Sequence, residues 1–147
     1  LALGRRGDRP WRVGLRHPRR DGVFAALALA AGESLATSGD YERAFTAGGR
    51  RYGHVLDPRT GRPADGAASA AVIATDPELA DAAATALLVG GPAEFAAVVV
   101  GLGLDTALLV ARDGRLLATP AMAARLRADN GGELPVLDWP PDEIAGP

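Results

Sequence analysis

The sequence predicts an α+β domain in which an antiparallel-rich sheet packs against helices, and three observations carry that expectation. Apolar and polar residues alternate with a period of two near the start, a strong helix start stands in the middle, and strand-like runs return after it. Strands in a run, then helices, then strands again lack the regular alternation of a doubly wound parallel sheet. At 147 residues the chain suits one domain of ordinary size and is too short for two full ones.

Trp11, Val13 and Leu15 alternate with Arg12, Gly14 and Arg16 between Pro10 and Pro18, which reads as a strand with one wet face. The apolar run 23–31, the Gly32-Glu33 interruption and Ser34 to Thr37 suit two strands joined by a turn. Tyr41 to Thr46 and Arg51 to Leu56 flank Gly48-Gly49, a hairpin whose glycines supply positive φ. Asp57 to Gly66 is a polar loop punctuated by Gly and Pro. A buried strand over 69–75 leads to Asp76 as N-cap, Pro77 in the first helical position and Glu78 in the first turn. That helix is expected to stop at Gly90-Gly91, with a second over Pro92 to Leu102. Asp105 to Ala111 turns through Asp113-Gly114 into Arg115 to Ala118, and a short helix covers Pro120 to Arg127. Residues 1–129 form the expected domain. Residues 130–147, rich in Gly, Pro and acid, are expected to be a loose tail.

Sixteen arginines, no lysine and eighteen acidic residues leave a net charge of -2, so no chain-wide basic surface for nucleic acid is expected. Arginines crowd residues 5–20 and acids the end, which reads as a solvated basic edge and an acidic tail. The absence of cysteine excludes disulfides, thiolate metal sites and a Cys nucleophile. Every apolar run is broken by Gly, Glu or Asp before the roughly 18 to 20 residues that span a bilayer. Leu1 to Leu3 read as the inside of a strand, so the chain is expected to begin partway through a longer protein.

Three clusters can carry chemistry. Thr37-Ser38-Gly39-Asp40-Tyr41 offers a hydroxyl and turn amides that suit phosphate oxygens, although turns use the same residues. His54-Val55-Leu56-Asp57-Pro58-Arg59-Thr60-Gly61 brings an imidazole, a carboxylate and a guanidinium to one strand end, while loop chemistry alone explains Asp57, Pro58 and Gly61. The other histidine, His17, lies in the basic edge. Asp81 and Thr85, four apart on a helix, share a face and present the hard oxygens Mg²⁺ favours, although any alanine-rich helix carries some polar residues. No Walker loop, His-rich metal motif, Gly-x-Ser-x-Gly elbow or GxGxxG fingerprint is found.

In this order, LATSGDYERAF (Leu35 to Phe45), RRYGHVLDPRTGRPA (Arg50 to Ala64) and ADAAATALLVGG (Ala80 to Gly91), with RPWRVGLRHP (Arg9 to Pro18) as a weaker fourth, resemble the C-terminal half of the ApbE family, the FAD:protein FMN transferases. The resemblance runs from about Leu1 to Thr119. It implies a two-part, T-fold-like α+β protein holding FAD and a divalent cation between its parts. It also implies a reaction in which Mg²⁺ helps cleave the FAD pyrophosphate, FMN passes to a threonine hydroxyl of an acceptor protein, and AMP leaves.

By motif position, the resemblance makes Asp81 and Thr85 metal ligands, assisted by the backbone beside Ala84. It makes His54 the group near the reacting phosphate, as proton acceptor or electrostatic stabiliser. Asp57 orients either His54 or the loop, Val55 meets FAD through its main chain, and Ser38, Gly39 and Arg59 are further contacts. The family's N-terminal half has no counterpart here, so a missing half or partner chain, weak FAD binding by this chain alone, an exposed apolar patch and a possible homodimer are expected. Gly53 is smaller than the residue expected before the histidine, which would loosen the pocket wall. FAD hydrolysis to FMN and AMP, or flavin binding without turnover, are the alternatives. Family members are often exported or membrane-anchored, and no signal for either stands in these residues.

Overall fold

In the computed structural model, which describes residues 2, 7–128 and 134–137, the chain forms three layers. Strands β1 (Trp11–Arg16) and β2 (Val23–Leu29) start a three-stranded sheet. β3 (Ser34–Gly39) belongs to a second sheet; β4 (Ala44–Ala47) with β5 (Arg50–Gly53), and β6 (Leu56–Asp57) with β7 (Arg62–Pro63), are separate hairpins. β8 (Ser69–Ala74), helix α1 (Pro77–Gly101), β9 (Thr106–Val110), β10 (Leu116–Ala118), helix α2 (Pro120–Arg125), β11 (Arg127–Ala128) and β12 (Val136–Leu137) follow. The sheets run β1-β2-β11 and β12-β10-β9-β8-β3, antiparallel throughout except for the β10–β12 pair.

Alternation along β8 and β9 explains the layering, because successive side chains of a strand point to opposite faces. Ala71, Ile73, Leu108 and Val110 face β2's Ala25, Leu27 and Leu29 in one core. Ala70, Val72, Ala107 and Leu109 face α1's Ala80, Ala83, Ala84, Leu87, Leu88, Phe95 and Val99 in the other. With both faces covered, these strands read as unbroken apolar runs. On β1 the predicted alternation grades outward, from buried Leu15 through half-buried Val13 to Trp11, which is 41 % exposed.

The helix start is as the sequence predicts: the Asp76 carboxylate accepts the Glu78 N–H at 2.9 Å and Pro77 opens the first turn. The two expected helices are both present within α1, parted at Gly91, whose φ of 63° and ψ of -163° are not helical. Taken as one 25-residue element, α1 is long and apolar enough to cross a membrane, its glycines and few acids lowering its hydropathy little, but the break at Gly91 divides it into two shorter pieces. In this fold its apolar face is spent on the central sheet.

The last helix ends at Arg125 rather than Arg127, since Arg127 and Ala128 pair with Ala26 and Ala25. Within the stretch expected to be loose, Val136 and Leu137 pair with Leu116 and Leu117, and Leu134 and Val136 pack on the core. Residues 130–133 and 138–147 of that stretch, like Leu1 and Leu3, lie outside the described residues.

Two arginine–carboxylate links tie the layers together. Arg125 reaches the Glu33 carboxylate with both guanidinium NH2 groups, at 2.8 and 2.6 Å, and Arg19 does the same to buried Asp40 at 2.5 and 2.7 Å. The first link holds Glu33 below the usual carboxylate range, chiefly through the Arg125 hydrogen bond. At the β1–β2 turn, His17 Nδ1 accepts the main-chain N–H groups of Arg19 (3.0 Å) and Arg20 (3.2 Å). Burial, then the charges of Arg20 and Arg19, push His17 below its ordinary value of 6.5.

Because the folded His17 binds its proton less readily than the unfolded one, its contribution to stability is complete above pH 6.5 and is lost as pH falls through the lowered value. Thermal unfolding between pH 7.5 and 5 should therefore show the midpoint falling on acidification, and His17→Gln should flatten that slope. An unchanged slope in the variant would exclude His17 as its source.

Candidate functional site

Ser38 and Gly39 close β3, and α1 lies across that strand. Ser38 Oγ and Thr85 Oγ1 are hydrogen-bonded at 2.9 Å, so the first and third sequence clusters meet directly. Thr85 Oγ1 also donates to the Asp81 carbonyl oxygen one turn earlier, at 3.2 Å. With that proton committed, Ser38 is the donor of the shared bond. Both hydroxyls then keep a lone pair for a further ligand. The Asp81 side chain is exposed, and Ala84 is buried against the sheet, so only its main chain can serve the cluster.

Gly39 leaves room for the Tyr41 ring, which a Cβ there would force to shift. Asp40, buried next to it, lies 3.9 Å from Arg112 in addition to its pair with Arg19, and the Asp40 hydrogen bond raises Arg19 above its ordinary value. A Cβ on Gly53 would stand 3.3 Å from the Asp40 Cα. Glycine before His54 therefore allows a tight approach to Asp40. His54 leaves this contact with an exposed side chain that makes no hydrogen bond among the described residues.

Val55 packs partly into the helix-side core, and its carbonyl accepts the Ala64 N–H at 2.8 Å, leaving its N–H as the main-chain group to meet a ligand. Of the two roles open to Asp57, the structure carries the loop role. Its carboxylate accepts the Arg59 main-chain N–H and Nε at 2.9 Å each and a guanidinium NH2 at 3.0 Å, and makes no bond to His54. These bonds, the Arg59 side-chain one first, hold Asp57 below the usual carboxylate range and raise Arg59. Arg59 also reaches Glu94 beyond the kink of α1.

The loop ends at Gly66, where a backbone contact sequence reasoning missed fastens it to α1. A Cβ on Gly91 would stand 2.5 Å from the Gly66 oxygen, and one on Gly66 would strike the Val89 carbonyl and the Gly91 nitrogen. The Gly90-Gly91-Pro92 run signals a helix break; nothing local signals its partner. Asp40 and Glu94 were likewise missed, because their partners lie 21 and 35 residues away.

Among the described residues no group of three or more His, Asp or Glu side chains gathers to hold a metal. What meets is two hydroxyls with free lone pairs and the Asp81 main-chain oxygen, on the helix face that also carries the exposed Asp81 carboxylate. This donor set fits Mg²⁺, which takes oxygen ligands and keeps waters and substrate phosphates in its remaining positions. A broad cavity of about 800 Å³ lies elsewhere, among Arg9, Trp11, Arg12, Ala28, Arg125 and Arg127, and shares no residue with the cluster.

The ApbE family matches residues 1–108, and the chain belongs to that family. It is 46% identical over 143 residues to the FAD:protein FMN transferase of Rhodobacter capsulatus, covering 95% of this chain and 27% of the relative. The Treponema pallidum protein of the same name is 37% identical over 119 residues, covering 80% and 33%. Among solved structures, the ApbE protein of Thermotoga maritima superposes with a TM-score of 0.74 at 36% identity, covering 84% of this chain and 40% of that one. The apo flavinyl transferase ApbE of Pseudomonas stutzeri gives 0.64 at 34% identity, covering 84% and 39%. The chain thus spans about a third of the curated relatives it matches.

Gly91→Ala should cost about 2 kcal/mol or more. Its backbone region is close to glycine-only, at a cost of roughly 1–3 kcal/mol for other residues, and the added methyl meets Gly66. Urea unfolding measures this; a loss below about 0.5 kcal/mol would show that the loop is not held here.

Proposed function

We propose that this chain is the C-terminal part of an Mg²⁺-dependent FAD:protein FMN transferase, which moves FMN from FAD to a threonine hydroxyl of an acceptor protein and releases AMP. The 2.9 Å bond between Ser38 and Thr85 carries this reading, because it joins two separate motifs on the helix face that bears Asp81 one turn earlier. The naming of the Rhodobacter capsulatus and Treponema pallidum relatives supports the reaction.

Asp81, Thr85 and Ser38 would hold the metal, with main-chain oxygen next to Ala84 assisting. When bound, Mg²⁺ supplies positive charge that neutralises the pyrophosphate and the charge developing during transfer. His54 accepts the proton of the acceptor threonine at a ring nitrogen. The threonine Oγ–P bond forms to the FMN phosphorus, the P–O bond to the AMP half breaks, and AMP departs with the bonding electrons. Arg59, held by Asp57 and Glu94, and the Val55 N–H steady the FAD phosphates and flavin beside that exchange. A second reading, hydrolysis of FAD with water in place of threonine, draws on the solvent exposure of His54.

The test joins all 147 residues to the N-terminal portion of the Rhodobacter capsulatus relative and measures the products by mass spectrometry. A gain of one FMN on an acceptor protein of that relative is the expected result. AMP without that gain would mean hydrolysis, and neither product would mean a binding module. Asp81→Ala should abolish Mg²⁺-dependent transfer, and unchanged metal dependence would remove Asp81 from the site. His54→Asn should slow transfer about 10²-fold or more with FAD affinity retained. The 147 residues alone should bind FAD weakly, as one wall of a pocket does.

A further inference from the structure

The hairpin between the two halves of the candidate site has no role in the reading above, and its surface is unusual. Every side chain of β4 is exposed. Phe45, at 63 % exposure, is the most exposed of the large apolar residues described. It is stacked on its cross-strand neighbour Tyr52, with ring centroids 5.3 Å apart and planes 22° from parallel. Such a pair stabilises a hairpin. Among the described residues its outer face is uncovered. β4 and β5 pair only with each other among the described residues, which leaves the outer edge of each without a strand partner. Two-stranded hairpins are marginal alone, and open edges invite a third strand.

The location and the charge narrow what that strand is. The hairpin is the chain that runs from Asp40 to His54, and its two ends meet where Gly53 backs onto Asp40. Anything lying along β5 therefore arrives beside His54. In sequence the hairpin holds three arginines, at positions 43, 50 and 51, and one glutamate, Glu42, which faces Arg16 at 3.6 Å. By sequence the hairpin is thus net basic, and the Phe45–Tyr52 stack tops it.

We propose that the β4–β5 hairpin is the docking element for the acceptor protein: an extended, acidic segment bearing the acceptor hydroxyl adds as a strand along the β5 edge, and an apolar side chain flanking that hydroxyl packs on Phe45. Main-chain hydrogen bonds along the edge hold the segment, the Phe45–Tyr52 platform sets its register, and the arginines select acidic sequence. The inference rests on the proposed transferase reading, since it assigns that reaction's second substrate to a surface.

The test uses the same joined protein with an acceptor of the Rhodobacter capsulatus relative as substrate. Phe45→Ala should raise KM for the acceptor about tenfold, the scale of losing one interface anchor, with kcat and the FAD dissociation constant within about twofold of the parent. Phe45→Tyr should restore KM, and Arg43→Glu should raise it and weaken its dependence on salt. An unchanged acceptor KM in Phe45→Ala overturns the docking role while transfer stands. A weakened FAD affinity in that variant also overturns it, since the hairpin would then be part of the flavin pocket or of the fold. Absence of any transfer by the parent overturns both readings together.

Discussion

The loop that carries His54, Asp57 and Arg59 has little apolar surface of its own to bury, and its position depends on the contact between Gly66 and Gly91. There two backbones approach so closely that neither position accepts a Cβ. The contact needs the helix to break where it does, because Gly91 takes a conformation that places its main chain against the loop and turns α1 toward Glu94. Glu94 then receives Arg59, and Arg59 receives Asp57. Val55, partly inserted among the helix-side apolar residues, anchors the other end. A loop of polar residues is thereby fastened by one backbone approach, one apolar side chain and a chain of charges.

The same economy appears on the sheet side. Burial of Asp40 would be costly for an unpaired carboxylate, and Arg19 and Arg112 remove that cost while joining the β1–β2 turn and the end of β9 to the end of β3. Glu33 and Arg125 do the equivalent work at the opposite end, between the β2–β3 turn and α2. Between these two clamps lies a sheet whose central strands are apolar on both faces, so the Ser38–Thr85 pair stands at the margin of a rigid core.

Much of the fold was legible because its signals are local. Asp76-Pro77-Glu78 marks a helix start through groups two residues apart, Gly48-Gly49 marks a hairpin through φ values of 57° and 75°, and the apolar run of β8 marks a buried strand. Boundaries were less legible: Arg127 reads as helical from its neighbours, and only the nearby edge of β2 draws it into a strand. Val136 and Leu137 stand in a Gly, Pro and acid-rich stretch and gain order from the edge of β10. In both cases a strand partner far along the chain outweighs local preference.

By itself the sequence determined the α+β class, the succession of elements, and the spacing that puts Asp81 and Thr85 on one helix face, since all of these follow from periodicity and turn chemistry within a few residues. Its motifs, taken in order, also carried the family resemblance. Only the tertiary structure decided that Thr85 bonds Ser38, that Asp57 serves Arg59 rather than His54, that Gly53 fits against Asp40, and that the loop ends on the kink at Gly91. Those pairings join residues separated by other elements. A hydrogen bond between them depends on where sheet and helix bring two backbones together, and no local pattern in either segment encodes the position of the other.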